Sequence, residues 1–283
     1  MTTNNTPLWQ RDDAPYNQKS FFRACLDCWR DAIAKDNFKV VVILTYAIFA
    51  LTLWKYIPAA PKFADPQTGV NLLAQNFGSG ATVVVPMDGS LVHSVSVVDF
   101  LWNARKIWAA FLIMGVIPAL IVKFVFHEKL SDYGVTFGVK SYTIRSFVTF
   151  APVLLVVTIL GSGDRGYYNV YPYNPMAPIS HGFMIAHSLM YLLLYYTAWE
   201  FMFRGFIQLG LADRLGAVPA LLVQVVASTM LHYGHPAGET FGCIAGGVLW
   251  GFLVFRTRSL VSGIGQHALM GIVLDWALTI QAL

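Results

Sequence analysis

The run YLLLYYTAWEFMFRGFIQLGLA carries Glu200 and Arg204, two charges four residues apart in an otherwise almost wholly apolar stretch. A charge at bilayer depth is costly unless it faces a protein interior or a wet cavity and finds a partner. One helical turn separates the two side chains, so they project from one face and can pair directly. His232 and His267 lie on later apolar runs. A carboxylate and two imidazoles in a low-dielectric pocket could activate water as a general base and donate to a developing oxyanion. The same three groups, Glu200, His232 and His267, could instead bind a divalent metal such as Zn as a two-histidine, one-carboxylate set with an open position. In either arrangement Arg204 would hold Glu200 ionised.

Depth along the helices decides whether these groups can meet. The turn at Asp213 lies thirteen residues after Glu200, and His232 lies sixteen after Gly216. At the rise of an α-helix these are roughly 20 and 24 Å, so on two antiparallel helices Glu200 and His232 fall at similar depth. His267 is nine residues past the Arg258 turn, roughly 14 Å in. Taken singly, His232 and His267 also read as hydrogen-bonded core histidines. His235, in HYGHPAGE, reads as a loop residue, and His181 and His187 as peripheral. His127-Glu128 is followed by KLSD, so no HExxH zinc motif exists.

The elements that must hold these residues are membrane helices. The 283 residues are 56% hydrophobic and 12% charged, where soluble domains carry about a quarter charged residues. This is the composition of an all-α, polytopic membrane bundle, since isolated strands cannot satisfy their backbone in lipid. Seven or eight spans are expected, from apolar runs at 40–57, 107–126, 146–160, a long run at 179–212, 217–232, 240–255 and 260–280. Residues 1–37 form a polar arm ending in an expected interfacial helix, and 38–283 form one membrane domain. The arm has no apolar core and is not read as a cleavable signal peptide. Residues 58–106 are a long connection.

Other patterns carry less. Cys25 and Cys28 are a lone CxxC without a second pair. GSGDRG at 161–166 matches GxGxxG but lacks the strand–turn–helix setting of a dinucleotide fold. Gly242, Gly246, Gly247 and Gly251 read as close helix packing. The net charge of +4 is spread over the flanks of apolar runs, which marks topology and gives no nucleic-acid surface.

Three stretches together resemble a known family. WEFMFRGF looks like the first motif, EExxxR followed by Gly, of the CAAX-protease and bacteriocin-processing family of intramembrane proteases (CPBP, Abi). STMLHYGHPAGE is similar to its second motif, an FxxxH helix end, and RTRSLVSGIGQHALMG to its third, HxxxN. The motifs fall in order over 181–275, and KLSDYGVTFG upstream resembles the family's connector. The resemblance places a family-like core at 181–283. It implies a site where glutamate and histidine activate water while a second histidine and an asparagine stabilise the oxyanion. A metalloprotease label is common for such proteins.

Carried over by position, Glu200 matches the second glutamate, Arg204 the arginine, His232 the second-motif histidine and His267 the third. Three positions depart: Trp199 replaces the first glutamate, Ser228 the phenylalanine and Gly271 the asparagine. Tryptophan cannot accept a proton, so Glu200 would act itself or Glu239 would have to reach in. Gly271 removes an oxyanion donor, a loss of about 3 kcal/mol where such donors matter. Asp275, eight residues past His267 on the same face, is read as a partner for a buried polar group.

The function expected is an intramembrane endopeptidase cleaving a membrane-associated or prenylated protein or peptide, in a bilayer expected to be a bacterial cytoplasmic membrane. The alternative is a non-catalytic relative acting as a membrane scaffold or partner-binding protein. A transporter fits less well, because the halves show no inverted repeat. Basic residues favour a cytoplasmic N-terminus, which opens the His232 end outward, whereas the resemblance favours a site open to the cytosol.

Overall fold

The computed structural model describes residue 26, residues 37–57 and residues 97–282. The expected interfacial helix with its CxxC pair, and residues 58–96 of the long connection, lie outside the described residues. Every one of the seven apolar runs corresponds to a helix. They are α1 (Phe38–Tyr56), then after a short α2 (Val97–Asn103) come α3 (Arg105–Val125), α4 (Lys140–Gly161), α5 (181–215), α6 (Ala217–Leu231), α7 (Ala237–Thr257) and α8 (Val261–Ala282). Among the described residues there is no strand, and GSGDRG is a helix end running into a 3₁₀ turn at Arg165–Asn169. Five helices, α1, α3, α4, α7 and α8, are long and apolar enough to cross a membrane, while α6 is apolar but shorter. The chain is an integral, multi-pass helical membrane protein.

The long fourth run is one continuous helix whose backbone widens to π-helical turns at Tyr191–Tyr196 and Phe201–Leu209. It is the central element. Residues 198–208 are buried without interruption, because α1, α3, α6 and α8 surround α5. Glu200 and Arg204 therefore face protein rather than acyl chains, the condition under which membrane-embedded charge is tolerated. By contrast α4 exposes Ile144, Val148, Val153, Val156, Val157 and Leu160, the apolar surface a lipid-facing helix presents. Its inner side lies along α8.

Small residues and amides hold α6 and α7 to α5. A Cβ on Gly251 would meet Gln208 Oε1 at 2.8 Å, and one on Gly247 would meet Val225 at 3.2 Å, whereas Gly242 faces open space. The close approach lets Gln208 and Gln224 donate across helices to the carbonyls of Gly251 and Gly247, both at 2.9 Å. The packing role therefore falls on Gly247 and Gly251. Lys55, near the end of α1, donates to the carbonyls of Leu231 and Tyr233 at 2.8 and 2.9 Å, placing a cation at the C-terminus of α6 just where His232 begins the turn.

The connector after α3 positions α8. Leu260 N–H donates to Gly134 O at 2.9 Å and Val139 N–H to Thr257 O at 2.8 Å, so the α7–α8 turn is clamped on both sides. Gly138 makes the clamp possible: its φ is +54°, and a Cβ there would lie 2.1 Å from the Thr257 carbonyl oxygen. Gly234 has φ +93° but open space around it. Gly138→Ala is thus expected to cost about 2 kcal/mol or more, the left-handed backbone term plus the clash, and Gly234→Ala only about 1–2 kcal/mol, the backbone term alone. Thermal unfolding in detergent should show the larger drop at 138. Equal midpoints for the two variants would contradict the clamp.

Candidate active site

Glu200 is fully buried and Arg204 2% exposed. The guanidinium Nη1 lies 3.2 Å from Glu200 Oε1, and on α8 the imidazole Nδ1 of His267 lies 2.8 Å from that same oxygen. A carboxylate flanked by a guanidinium stays ionised and can only accept, so His267 Nδ1 carries the proton and its Nε2 presents a lone pair. The approach requires Gly263, since a Cβ there would sit 2.9 Å from Glu200 Oε2. His267 is further fixed by Trp250, stacked at 4.3 Å between centroids, and by Tyr196 at 4.6 Å.

His232 stands in the turn after α6, and its Nδ1 lies 2.8 Å from the Ser228 carbonyl. A carbonyl only accepts, so Nδ1 holds the proton and Nε2 presents a lone pair. Burial pushes this imidazole down to about 4, so the neutral form is the resident one. The carboxylate it faces is Glu239 of α7, whose Oε1 is 3.8 Å from His232 Nε2. Glu239 Oε1 also takes hydrogen bonds from His235 Nδ1 at 2.9 Å and from the Tyr171 hydroxyl at 2.5 Å. Burial raises the Tyr171 phenol, which keeps it a donor.

The structure thus brings Glu200, Arg204 and His267 into one contact and pairs His232 with Glu239 instead. Trp199 touches both groups: both imidazoles stand nearly perpendicular to its ring, His232 at 5.6 Å and 81°, His267 at 6.3 Å and 88°. His235, read from sequence as a loop residue, and Tyr171, not singled out at all, are the residues that hold Glu239. A tight HxxxE spacing was available in the sequence for the first; nothing local marked the second, which comes from a loop 68 residues away. Asp275 pairs with His187 at 2.9 Å, both 1% exposed at the side chain. His187, read as peripheral, is therefore a core residue.

A divalent ion would need His232, His267 and Glu200 on one centre. Here Glu200 is engaged by Arg204 and His267 Nδ1, and His232 turns to another carboxylate. Among the described residues no group of three histidine, cysteine or acidic side chains could hold a metal ion. The donor set does not fit a metal, and no step below runs through one.

No curated protein and no solved structure matches the chain. Residues 181–273, covering α5 through most of α8, match the family model of the Type II CAAX prenyl endopeptidase Rce1-like proteins, and over that third of the chain the resemblance to the CAAX-protease family is borne out.

Proposed function

We propose that this protein is an intramembrane endopeptidase that hydrolyses a membrane-associated protein or peptide, a prenylated tail included, with His232 as the general base. The family match supports a membrane endopeptidase of CAAX-protease type in general. The observation that carries the finer reading is the His232–Glu239 pair. The imidazole proton is committed to Ser228, so Nε2 and Glu239 Oε1 are two acceptors 3.8 Å apart. Two facing acceptors repel unless a donor lies beside both, and a water molecule is the donor that would satisfy them.

In this reading Nε2 of His232 takes a proton as water attacks the scissile carbonyl, and the imidazolium formed is stabilised by Glu239, itself held by His235 and Tyr171. As the C–N bond breaks, that proton passes to the leaving amine, and the acid and amine products carry all atoms of the peptide and the water. His267 also packs on Trp199, and Glu200 with Arg204 positions it. Trp199 takes no proton; it fixes the spacing of the two imidazoles.

A second reading has one observation in its favour. Trp199 packs an indole against both histidines, which suits a non-catalytic relative that keeps its polar groups for helix association. The two readings part on membranes from cells carrying native protein or His232→Ala: the endopeptidase reading expects one precursor to accumulate in the variant, and a scaffold expects none. Cleavage of that precursor should fall about 10²–10⁴-fold in His232→Ala and in Glu239→Gln, with unchanged expression. Full activity in Glu239→Gln would remove Glu239 from the mechanism.

The pH profile offers a separate check. A base whose conjugate acid is disfavoured by burial stays ready as pH falls, and is lost only near its own low value. With His232 at about 4, cleavage should stay level from pH 8 to about 6. An acidic limb centred at or above about 6.5, where an exposed imidazole titrates, would contradict the assignment. Because the donor set is divided, activity is also expected to survive dialysis against a strong chelator. Loss on chelation with recovery on added zinc would overturn the metal-free reading.

A further inference from the structure

The mechanism above leaves one charge unattended, the oxyanion that forms on the scissile carbonyl. Around His267 the Trp250 indole N–H donates to Gln266 Oε1 at 3.1 Å and His267 Nδ1–H goes to Glu200, while Arg204 is held by its ion pair with Glu200 and keeps Nε and Nη1 without a hydrogen-bond partner. Tyr196 is a further donor there. It sits one turn before Glu200 on α5, hence on the same face, and its ring lies 4.6 Å from that of His267. Among the described residues no acceptor takes its O–H.

The place of that hydroxyl is defined by Gly271, one turn past His267 on α8. A Cβ built on Gly271 would lie 1.8 Å from the Tyr196 oxygen and 2.6 Å from Cζ. The phenol therefore occupies the volume that any side chain at 271 would need, beside the face of α8 that carries His267. Tyr191 and Tyr195 hold the ring edge-on, at 5.3 and 5.0 Å between centroids, so the oxygen is placed by packing rather than by a hydrogen bond. A donor fixed in advance, in a site of low dielectric, with no acceptor in the ground state, is the arrangement that stabilises developing negative charge.

We propose that Tyr196 is a catalytic residue that donates its phenolic O–H to the carbonyl oxygen as the tetrahedral intermediate forms, from the space over Gly271. The proton stays on the phenol throughout, since a tyrosine gives up its proton only near pH 10. The inference rests on the endopeptidase reading and adds to it the group that meets the oxyanion.

The test uses the full-length protein in detergent and a fluorescence-quenched peptide spanning the cleaved junction of the precursor that accumulates with His232→Ala. Tyr196→Phe keeps the ring and its packing and removes only the donor. It should lower kcat about 10²–10³-fold, leave KM unchanged within about twofold, and leave the unfolding midpoint in place. A peptide aldehyde of the same sequence, whose hydrate resembles the intermediate, should bind the variant correspondingly more weakly, while the uncleaved peptide binds as before. Tyr196→Phe with a kcat within about twofold of native would overturn the proposal. So would a fall in kcat matched by a fall in unfolding midpoint with aldehyde binding unchanged, which is the pattern of a packing role. If native protein cleaves no peptide that His232→Ala spares, the endopeptidase reading fails first and on its own.

Discussion

A carboxylate sealed inside a membrane protein is the constraint around which this molecule is built. Glu200 has no access to solvent, and an ion of that kind carries a desolvation cost of several kcal/mol that only close, well-aimed partners offset. Arg204 supplies the opposite charge from the same helix, and His267 supplies a donor from α8. Removing either partner would strand a buried charge, so α5 and α8 are fixed in rotation and depth relative to each other. Much of the remaining structure serves that contact. Gly263 admits the carboxylate, Gly205 lets the Tyr133 carbonyl approach α5, and the connector clamps the turn from which α8 starts.

The two carboxylates near the imidazoles are held differently, and their settings suit different tasks. Glu200 is neutralised by a fixed cation and lies beyond the reach of water, which suits orientation of a neighbour. Glu239 is contacted by His232, His235 and Tyr171. It accepts from a histidine and a phenol and keeps 15% of its side chain exposed, the setting in which a carboxylate can respond as a nearby imidazole gains charge. An acid next to an arginine is a poor base, whatever motif it stands in, because the ion pair lowers the drive to take up a proton.

Much of the bundle was legible because apolar runs in lipid have one solution. The seven runs became helices, and the i,i+4 spacing of Glu200 and Arg204 gave their pairing directly. The helix starts were less legible: α4 begins at Lys140 rather than at Ser146, since its first turns are polar and exposed. The site was legible where periodicity governed it and not where a turn did. Depth along the helices set Glu200 level with His232, yet it is His267 that meets Glu200. It did not reveal that the turn after α6 swings His232 toward Glu239, or that Tyr171 arrives from a loop whose sequence has no period. The His187–Asp275 pair was half legible: an acid at 275 demanded a buried partner, but the partner lay on the start of a helix 88 residues earlier.

The substitutions that set this chain apart from the family pattern are coupled in space to their surroundings. Trp199 is one residue from Glu200, and its indole abuts both imidazoles; Gly271 is one turn from His267, and the Tyr196 phenol lies in the space it leaves. Tyr196 and Gly271 depend on each other, because any Cβ at 271 would overlap the phenol oxygen while that ring keeps its place against Tyr191 and Tyr195. Trp199 makes a similar demand on the acid: with an indole at 199, the carboxylate facing His232 has to come from another helix, and α7 provides it in Glu239. Under the endopeptidase reading each of these groups has a part: His232 is the neutral base, Glu239 the acid beside it, and the Tyr196 O–H the donor next to His267.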